Sequence, residues 1–307
     1  MKVNVIAPSA SLLQEKDPLR RIELAGRICY HSQDKVAEGT AEPFVRRLLA
    51  NRHLTPLEAV NLCIPLEAGR RHDPDPFSIF GDKWLPPSYN EGSINDRRMC
   101  RDDDVVYISA RDLAEKYVFR DDVVIGILKD PDVSKTSVNT PTLIIRTDRG
   151  IGNELVRHRA LAYDDDRIMD ANPDFVPEMS MVQESTRYVK YDAVEVIRPR
   201  PAKWAEDTES LEYRTWWHSC IRSAIDYRRL LDAGVAPQYA RNVLPLSLAT
   251  TIVMTGTTRQ WDHFFYLRTA KAAHPQMRYL CWLMLKALDD AMWGDRLAKL
   301  NEEFEEA

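Results

Sequence analysis

A chain of 307 residues with 42 lysines and arginines against 47 aspartates and glutamates carries a formal charge of −5. It is long enough to bury a sizeable core, but the acidic balance argues against a nucleic-acid partner, whose phosphates call for a basic stripe. Cys29, Cys63, Cys100, Cys220 and Cys281 are scattered, odd in number and without a C-x-x-C pair, which excludes a disulfide framework or a zinc knuckle and fits reduced thiols in the cytoplasm; no metal site is indicated, and no apolar run reaches the length of a membrane span.

Val3 to Ile6 has the composition of a strand, and Arg20 to Tyr30 places Ile22, Leu24, Ala25 and Ile28 at helical spacing. Phe44, Leu48 and Leu49 begin a second helix. From 68 to 139 the texture changes: His72-Asp73-Pro74-Asp75-Pro76 and the run from Leu85 to Gly92 break any long element. This reads as an insertion on a compact scaffold. A stretch of that length without elements would be unusual, so some are expected inside it. Val105 to Ile108 and Val123 to Leu128 could each be strand or short helix, and periodicity does not decide between them.

Thr142 to Ile145 is a β-branched apolar run, and Ile151 to Arg159 suits a helix; strand followed by helix is an arrangement that accommodates phosphate. A polar segment, Asp164 to Pro173, follows. The last third reads as largely helical. Leu211 to Ala233 carries Trp216, Trp217, Cys220, Ala224 and Leu231 at helical spacing, with Gly234 where a terminating glycine falls. Its tryptophans are read as core.

Two arginine-bearing clusters occupy the middle of this acidic chain: Arg157-His158-Arg159 and the run Gln183-Glu184-Ser185-Thr186-Arg187-Tyr188. A guanidinium stays charged at any cellular pH and matches two phosphate oxygens with its planar fork. Ser185 and Thr186 add hydroxyl donors. The bland alternative is that the arginines are surface cations and the Ser-Thr pair caps a helix. Further along stand Ala240-Arg241-Asn242-Val243-Leu244-Pro245, Thr257-Thr258-Arg259, His263-Phe264-Phe265 and Leu267-Arg268.

In order and spacing these residues resemble the flavin-dependent thymidylate synthases. So do the early segments Arg27-Ile28-Cys29-Tyr30-His31-Ser32 and His53-Leu54-Thr55-Pro56-Leu57-Glu58. The resemblance covers roughly residues 20 to 67, 142 to 162 and 182 to 280; one such motif would be weak, but several in the right order are specific. It implies an α/β (α+β) fold, with a curved, largely antiparallel sheet packed with helices. It implies a single domain over 1–307 with insertions at about 68–139 and 163–180. It also implies reductive C5 methylation of a uracil nucleotide, with FAD as cofactor and NADPH and methylenetetrahydrofolate as cosubstrates, in a homotetramer with shared sites. Carried onto this chain, the catalytic position falls on Arg268. Nucleotide-holding positions fall on Glu154, Arg157, Gln183, Glu184, Ser185, Thr186, Arg187, Arg241 and Arg268. Flavin-contacting positions fall on Ser32, His53, Thr55, Arg157, His158, Arg159, Gln183, Thr257, Arg259 and His263. If 246 to 270 is one helix, Arg259 and His263 share a face while Arg268 points nearly opposite, at about 100° per residue.

Several residues depart from the family's pattern. The interval between Arg-His-Arg and Ser-x-Arg is lengthened by the second insertion, a loop whose closure costs little at a surface. Ala162, Ala59 and Thr257 stand where the family commonly has serine, histidine and asparagine. A usual glutamine is Glu154 and a usual glutamate is Gln183, side by side with the nucleotide positions. These exchanges bear on substrate choice more than on reaction type, since one unpaired hydroxyl partner discriminates strongly. The default substrate is dUMP, and UMP or a modified nucleotide is the alternative. A redox flavoprotein that has lost methyl transfer is a further reading.

Overall fold

The computed structural model describes residues 1–65, 100–102, 105–117, 120–131, 140–158, 179–289 and 291–304. Their strands, in chain order, are β1 (Lys2–Ile6), β2 (Ser9–Leu12), β3 (Asn61–Pro65), β4 (Cys100–Asp102), β5 (Val105–Ser109), β6 (Thr142–Asp148), β7 (Ser180–Gln183), β8 (Ala193–Ile197) and β9 (Ala249–Thr255). They form an antiparallel sheet in the order β2-β6-β9-β7, a second antiparallel sheet β3-β5-β4, and a parallel pair β1-β8. The fold is mixed α/β with antiparallel sheet and packed helices, its strands distributed over three sheets.

The four-stranded sheet is covered on both faces, which explains why every residue of its central strand β9 is buried. On one face Val253, Ile144 and Val182 meet Ala25, Ile28 and Cys29 of helix Pro18–Cys29. On the other, Leu143, Ile145, Ile252 and Met254 meet Trp261, Phe264 and Phe265 of helix Thr258–Arg268 and Met277, Leu280 and Met284 of helix Pro275–Leu288. Successive side chains of a strand alternate between faces, so a strand sandwiched this way must be apolar or satisfied throughout. Thr142 and Thr255 meet this demand by hydrogen bonding to each other at 2.9 Å across the ladder.

Helix Pro18–Cys29 starts where Asp17 accepts the Arg20 amide at 2.7 Å, with Pro18 in the first turn where its missing N–H costs nothing. Its buried charged residues have partners: Glu23 pairs with the half-buried Arg20 at 3.0 Å and with Arg27 at 3.1 Å, and Arg21 reaches across to Thr142. Helix Ala41–Ala50 packs beside it through Phe44, Val45, Leu48 and Leu49.

The strand at Val3, the first two helices and helix Leu211–Asp232 lie where the periodicity places them, and Gly234 has the positive φ of 82° expected after a helix end. Trp216 and Trp217 are half-buried against the β1-β8 core. The open choices resolve as strand for Val105–Ser109 and helix for Asp121–Leu128. Two expectations are corrected. Residues 246 to 270 are not one helix: the β-branched run from Thr250 to Val253 takes the centre of the sheet, and the helix begins only after Thr257. The helix expected to reach Arg159 spans Arg149–Leu155 and ends before the arginine cluster. Most of 68–139, all of 163–178, and Arg159 and Ala162 lie outside the described residues. Among the described residues no helix is long and apolar enough to cross a membrane, and no cluster of three or more His, Cys, Asp or Glu is placed to hold a metal.

Candidate active site

Helix Arg149–Leu155 follows β6 directly. Asp148 caps it by accepting the Ile151 amide at 2.9 Å, and Gln276 donates to the same carboxylate. Burial raises the Asp148 pKa, against the lowering influence of the backbone amides of Ile151, Asp148 and Gly150. Ile151 and Leu155, one turn apart, bury their side chains in the core. The His158 amide then donates to the Leu155 carbonyl at 2.8 Å, a tight turn that leaves Val156 and Arg157 exposed and sends His158 inward.

The His158 ring packs edge-on against Phe264 at 5.0 Å and lies 5.7 Å from the ring of His263. Burial, then the charges of Arg268 and His263, push its pKa down to about 4, so it is a neutral imidazole at physiological pH. Arg268, in the last turn of helix Thr258–Arg268, donates from Nη2 to the Glu154 carbonyl at 3.1 Å. Arg268 and His263, expected on opposite sides of one helix, both lie near enough to His158 to bear on its charge. Nδ1 of His158, Nε2 of His263 and Nε of Arg268 are buried without a hydrogen-bond partner among the described residues. Buried polar atoms are ordinarily satisfied, and these three nitrogens are exceptions on neighbouring residues.

A second group of the expected residues lines a cavity of about 500 Å³: His53, Thr55, Gln183 and Ser185, together with Tyr30 and Tyr188. Tyr30 and Tyr188 meet edge to face at 5.6 Å, and the Tyr30 hydroxyl is 3.3 Å from Nδ1 of His53. Gln183 of this cavity also touches the helix that precedes His158. Its Nε2 donates to Thr250 at 3.3 Å and lies against Gly152, where a β-carbon would come within 2.9 Å of it. Helix Arg149–Leu155 therefore sits directly on the strand that delivers the second cluster.

The remaining expected residues surround these groups. Arg241 donates to the Thr186 hydroxyl at 2.9 Å, and the Arg187 guanidinium lies 5.2 Å from the Tyr188 ring centroid. Arg157, Arg187 and Arg241 are exposed at the edges of the region. Ser32 closes the turn after helix Pro18–Cys29 through its amide, 3.0 Å from the Arg27 carbonyl. Thr257 is buried and caps helix Thr258–Arg268 in a reciprocal arrangement with Gln260, which places Arg259 in the first turn of that helix. The Glu184 carboxylate is also taken up internally, by Tyr191, Thr251 and His31. Arg52 and Arg111 also line the cavity, and Arg149 and Tyr191 donate to Glu184; no sequence motif points to these four. Arg149 followed Asp148 immediately before the expected helix, and that capping position was the available signal.

Residues 127–292, more than half of the chain, match the family model described as thymidylate synthase complementing protein. The chain belongs to the flavin-dependent thymidylate synthase family. The match takes in both arginine clusters, Arg241 and helix Thr258–Arg268, and leaves out Ser32, His53 and Thr55. A probable flavin-dependent thymidylate synthase of Paramecium bursaria Chlorella virus 1 is 30% identical over 142 residues, covering 42% of this chain and 56% of the relative. The flavin-dependent thymidylate synthase of Geobacter sulfurreducens is 32% identical over 139 residues, covering 45% and 51%. The chain thus spans about half the length of the curated relatives it matches. A solved structure of the UMP/dUMP methylase PolB from Streptomyces cacaoi, bound with 5-Br dUMP, is 18% identical with a TM-score of 0.39 over 94% of this chain and 92% of that one.

Proposed function

We propose that this chain methylates C5 of a uracil nucleotide, dUMP by default, drawing the carbon from methylenetetrahydrofolate and reducing equivalents from NADPH through bound FAD. The observation that carries this reading is the cluster of Arg268, His158 and His263 with its buried, unsatisfied nitrogens. Those nitrogens suit a polar, planar ligand. When bound, the flavin supplies the hydride chemistry; His158, His263, Arg259, His53 and Thr55 are the residues that would hold it.

Arg268 has a fixed position because Nη2 is tied to the Glu154 carbonyl, which leaves its other nitrogens for the ligand. A fixed cation beside N3 and its flanking carbonyl favours the N3-ionised ring and raises electron density at C5; such preorganised charge is commonly a large catalytic contribution. His158 faces the same cluster neutral, so it hydrogen-bonds there without adding a second positive charge. Arg157, Ser185, Thr186, Arg187 and Arg241 are assigned to the phosphate. Arg157, Arg187 and Arg241 are exposed on one chain, as are the large apolar residues Val156, Leu246, Tyr266 and Leu267. This favours a site closed by another copy in a homo-oligomer, a tetramer by family likeness.

Purified protein should show flavin bands in the visible and convert dUMP, or UMP, to its methylated product when folate and NADPH are supplied. Arg268→Ala should lower kcat by about 100-fold or more while the protein keeps its flavin. Flavin bands without a methylated product from either nucleotide would overturn the proposal in favour of a redox flavoprotein.

A further inference from the structure

The strand β7 ends at Gln183, and one residue, Glu184, separates it from the segment Ser185–Arg187 assigned to the phosphate. What ends it is visible at Glu184. In the register of β7 with β9, Glu184 stands opposite Thr251, and its amide donates to the Thr251 carbonyl at 2.9 Å. Directly opposed residues of this kind normally exchange both main-chain bonds. Here the return bond goes elsewhere. The Thr251 amide donates to Oε2 of the Glu184 side chain at 3.2 Å, while the Glu184 carbonyl accepts from Arg149 Nη2 at 2.9 Å. The carboxylate has replaced the main-chain carbonyl in the ladder, and the freed carbonyl turns to the helix that follows β6.

This substitution lets the backbone leave the sheet without stranding the Thr251 amide in the interior, where an unpaired donor is costly. The carboxylate that makes it possible is itself held from two other elements. Tyr191 donates to Oε1 at 2.6 Å, and His31 Nε2 lies 3.1 Å from Oε2, on a residue with the positive φ of 48°. Glu184 is only 3% exposed. Burial acts to raise its pKa, but the contacts with His31, Tyr191 and Arg149 outweigh it and keep the group ionised. Downstream, the Ser185 amide donates to the Cys29 carbonyl at 3.1 Å and the Arg187 amide approaches the Ser185 hydroxyl at 3.3 Å, so the peeled segment is a defined turn.

We infer that Glu184 is a positioning residue: with Tyr191 and His31 it fixes the exit of the chain from β7 and thereby sets Ser185, Thr186 and Arg187 for the phosphate of a nucleoside monophosphate. Its carboxylate is engaged within the chain by Tyr191, Thr251 and His31, so its role is indirect, in place of the nucleotide contact that the family resemblance implies. The inference rests on the function proposed above for the same site.

The test compares wild-type protein with Glu184→Ala, Glu184→Gln and Tyr191→Phe, measuring KM for the nucleotide, kcat and the flavin spectrum. Glu184→Ala should raise KM about tenfold with kcat changed by no more than about threefold and flavin retained, because substrate holding is lost rather than transition-state stabilisation. Glu184→Gln, whose amide oxygen still accepts from Thr251, should recover most of that loss. If the alanine variant does not fold, Tyr191→Phe removes a single hydrogen bond and should raise KM by about threefold at unchanged kcat. An active wild type whose KM is unmoved in the folded variants, or whose kcat alone falls, overturns the positioning role. A wild type inactive on both nucleotides fails the functional proposal instead.

Discussion

His158 shows at the scale of one residue how burial decides chemistry. Its neighbours Phe264, His263 and Arg268 make protonation unfavourable, and its pKa drops from 6.5 to about 4. Between those values the unfolded chain takes up the proton and the folded chain does not. Stability contributed by the neutral ring is therefore complete above pH 6.5 and is lost as pH falls towards 4, to a total on the order of 3 kcal/mol. His158→Phe keeps an aromatic ring against Phe264 and removes the titration. Urea unfolding midpoints followed from pH 7 to 4.5 should fall less steeply in this variant than in the wild type, and parallel curves would show that the imidazole is not held neutral. The sequence made His158 a candidate through its two arginine neighbours. It could not show that the chain exposes Arg157 and buries His158, because the ring's packing partner, Phe264, lies far along the chain.

Packing between elements explains which other residues were legible. Helix Pro18–Cys29 was readable because its apolar residues recur at helical spacing and one face is buried. β9 was not, because a strand covered on both faces loses its alternation and becomes a continuous apolar run that a helix can imitate. Glu184 stood inside a recognised motif, yet the partners that define its work, Thr251, Tyr191 and His31, belong to three other segments. Close approach of elements also constrains Gly26. A β-carbon there would lie 2.6 Å from Cε1 of Phe44 and 3.4 Å from Pro56. The Phe44 ring cannot easily retreat, since it packs in the core with the Arg27 guanidinium 4.5 Å from its centroid. Gly26→Ala should therefore destabilise by about 1–3 kcal/mol despite alanine's better helix propensity. A chemical denaturation midpoint at or above that of the wild type would show that the two helices have room to part.

At the scale of the whole molecule the cations fall into two sets. Arg268 is tied to the Glu154 carbonyl beside His158, whereas Arg241 is tied to Thr186 in the peeled segment after β7. If each site of the proposed oligomer takes Arg268 from one copy and Arg241 from another, damage to one set leaves the other intact. Arg268→Ala and Arg241→Ala should each be nearly inactive alone. Unfolded, mixed in equal amounts and refolded together, they should form sites in which both arginines are present. With random pairing that is about one site in four, so activity should recover to about a quarter of the wild type. Co-expression from paired genes would give the same fraction without refolding. Recovery of nothing, from mixtures shown by native mass spectrometry to contain both variants in one assembly, would place Arg241 and Arg268 of the same copy in the same site. The exposed arginines would then have to come together by movement within one chain rather than by assembly.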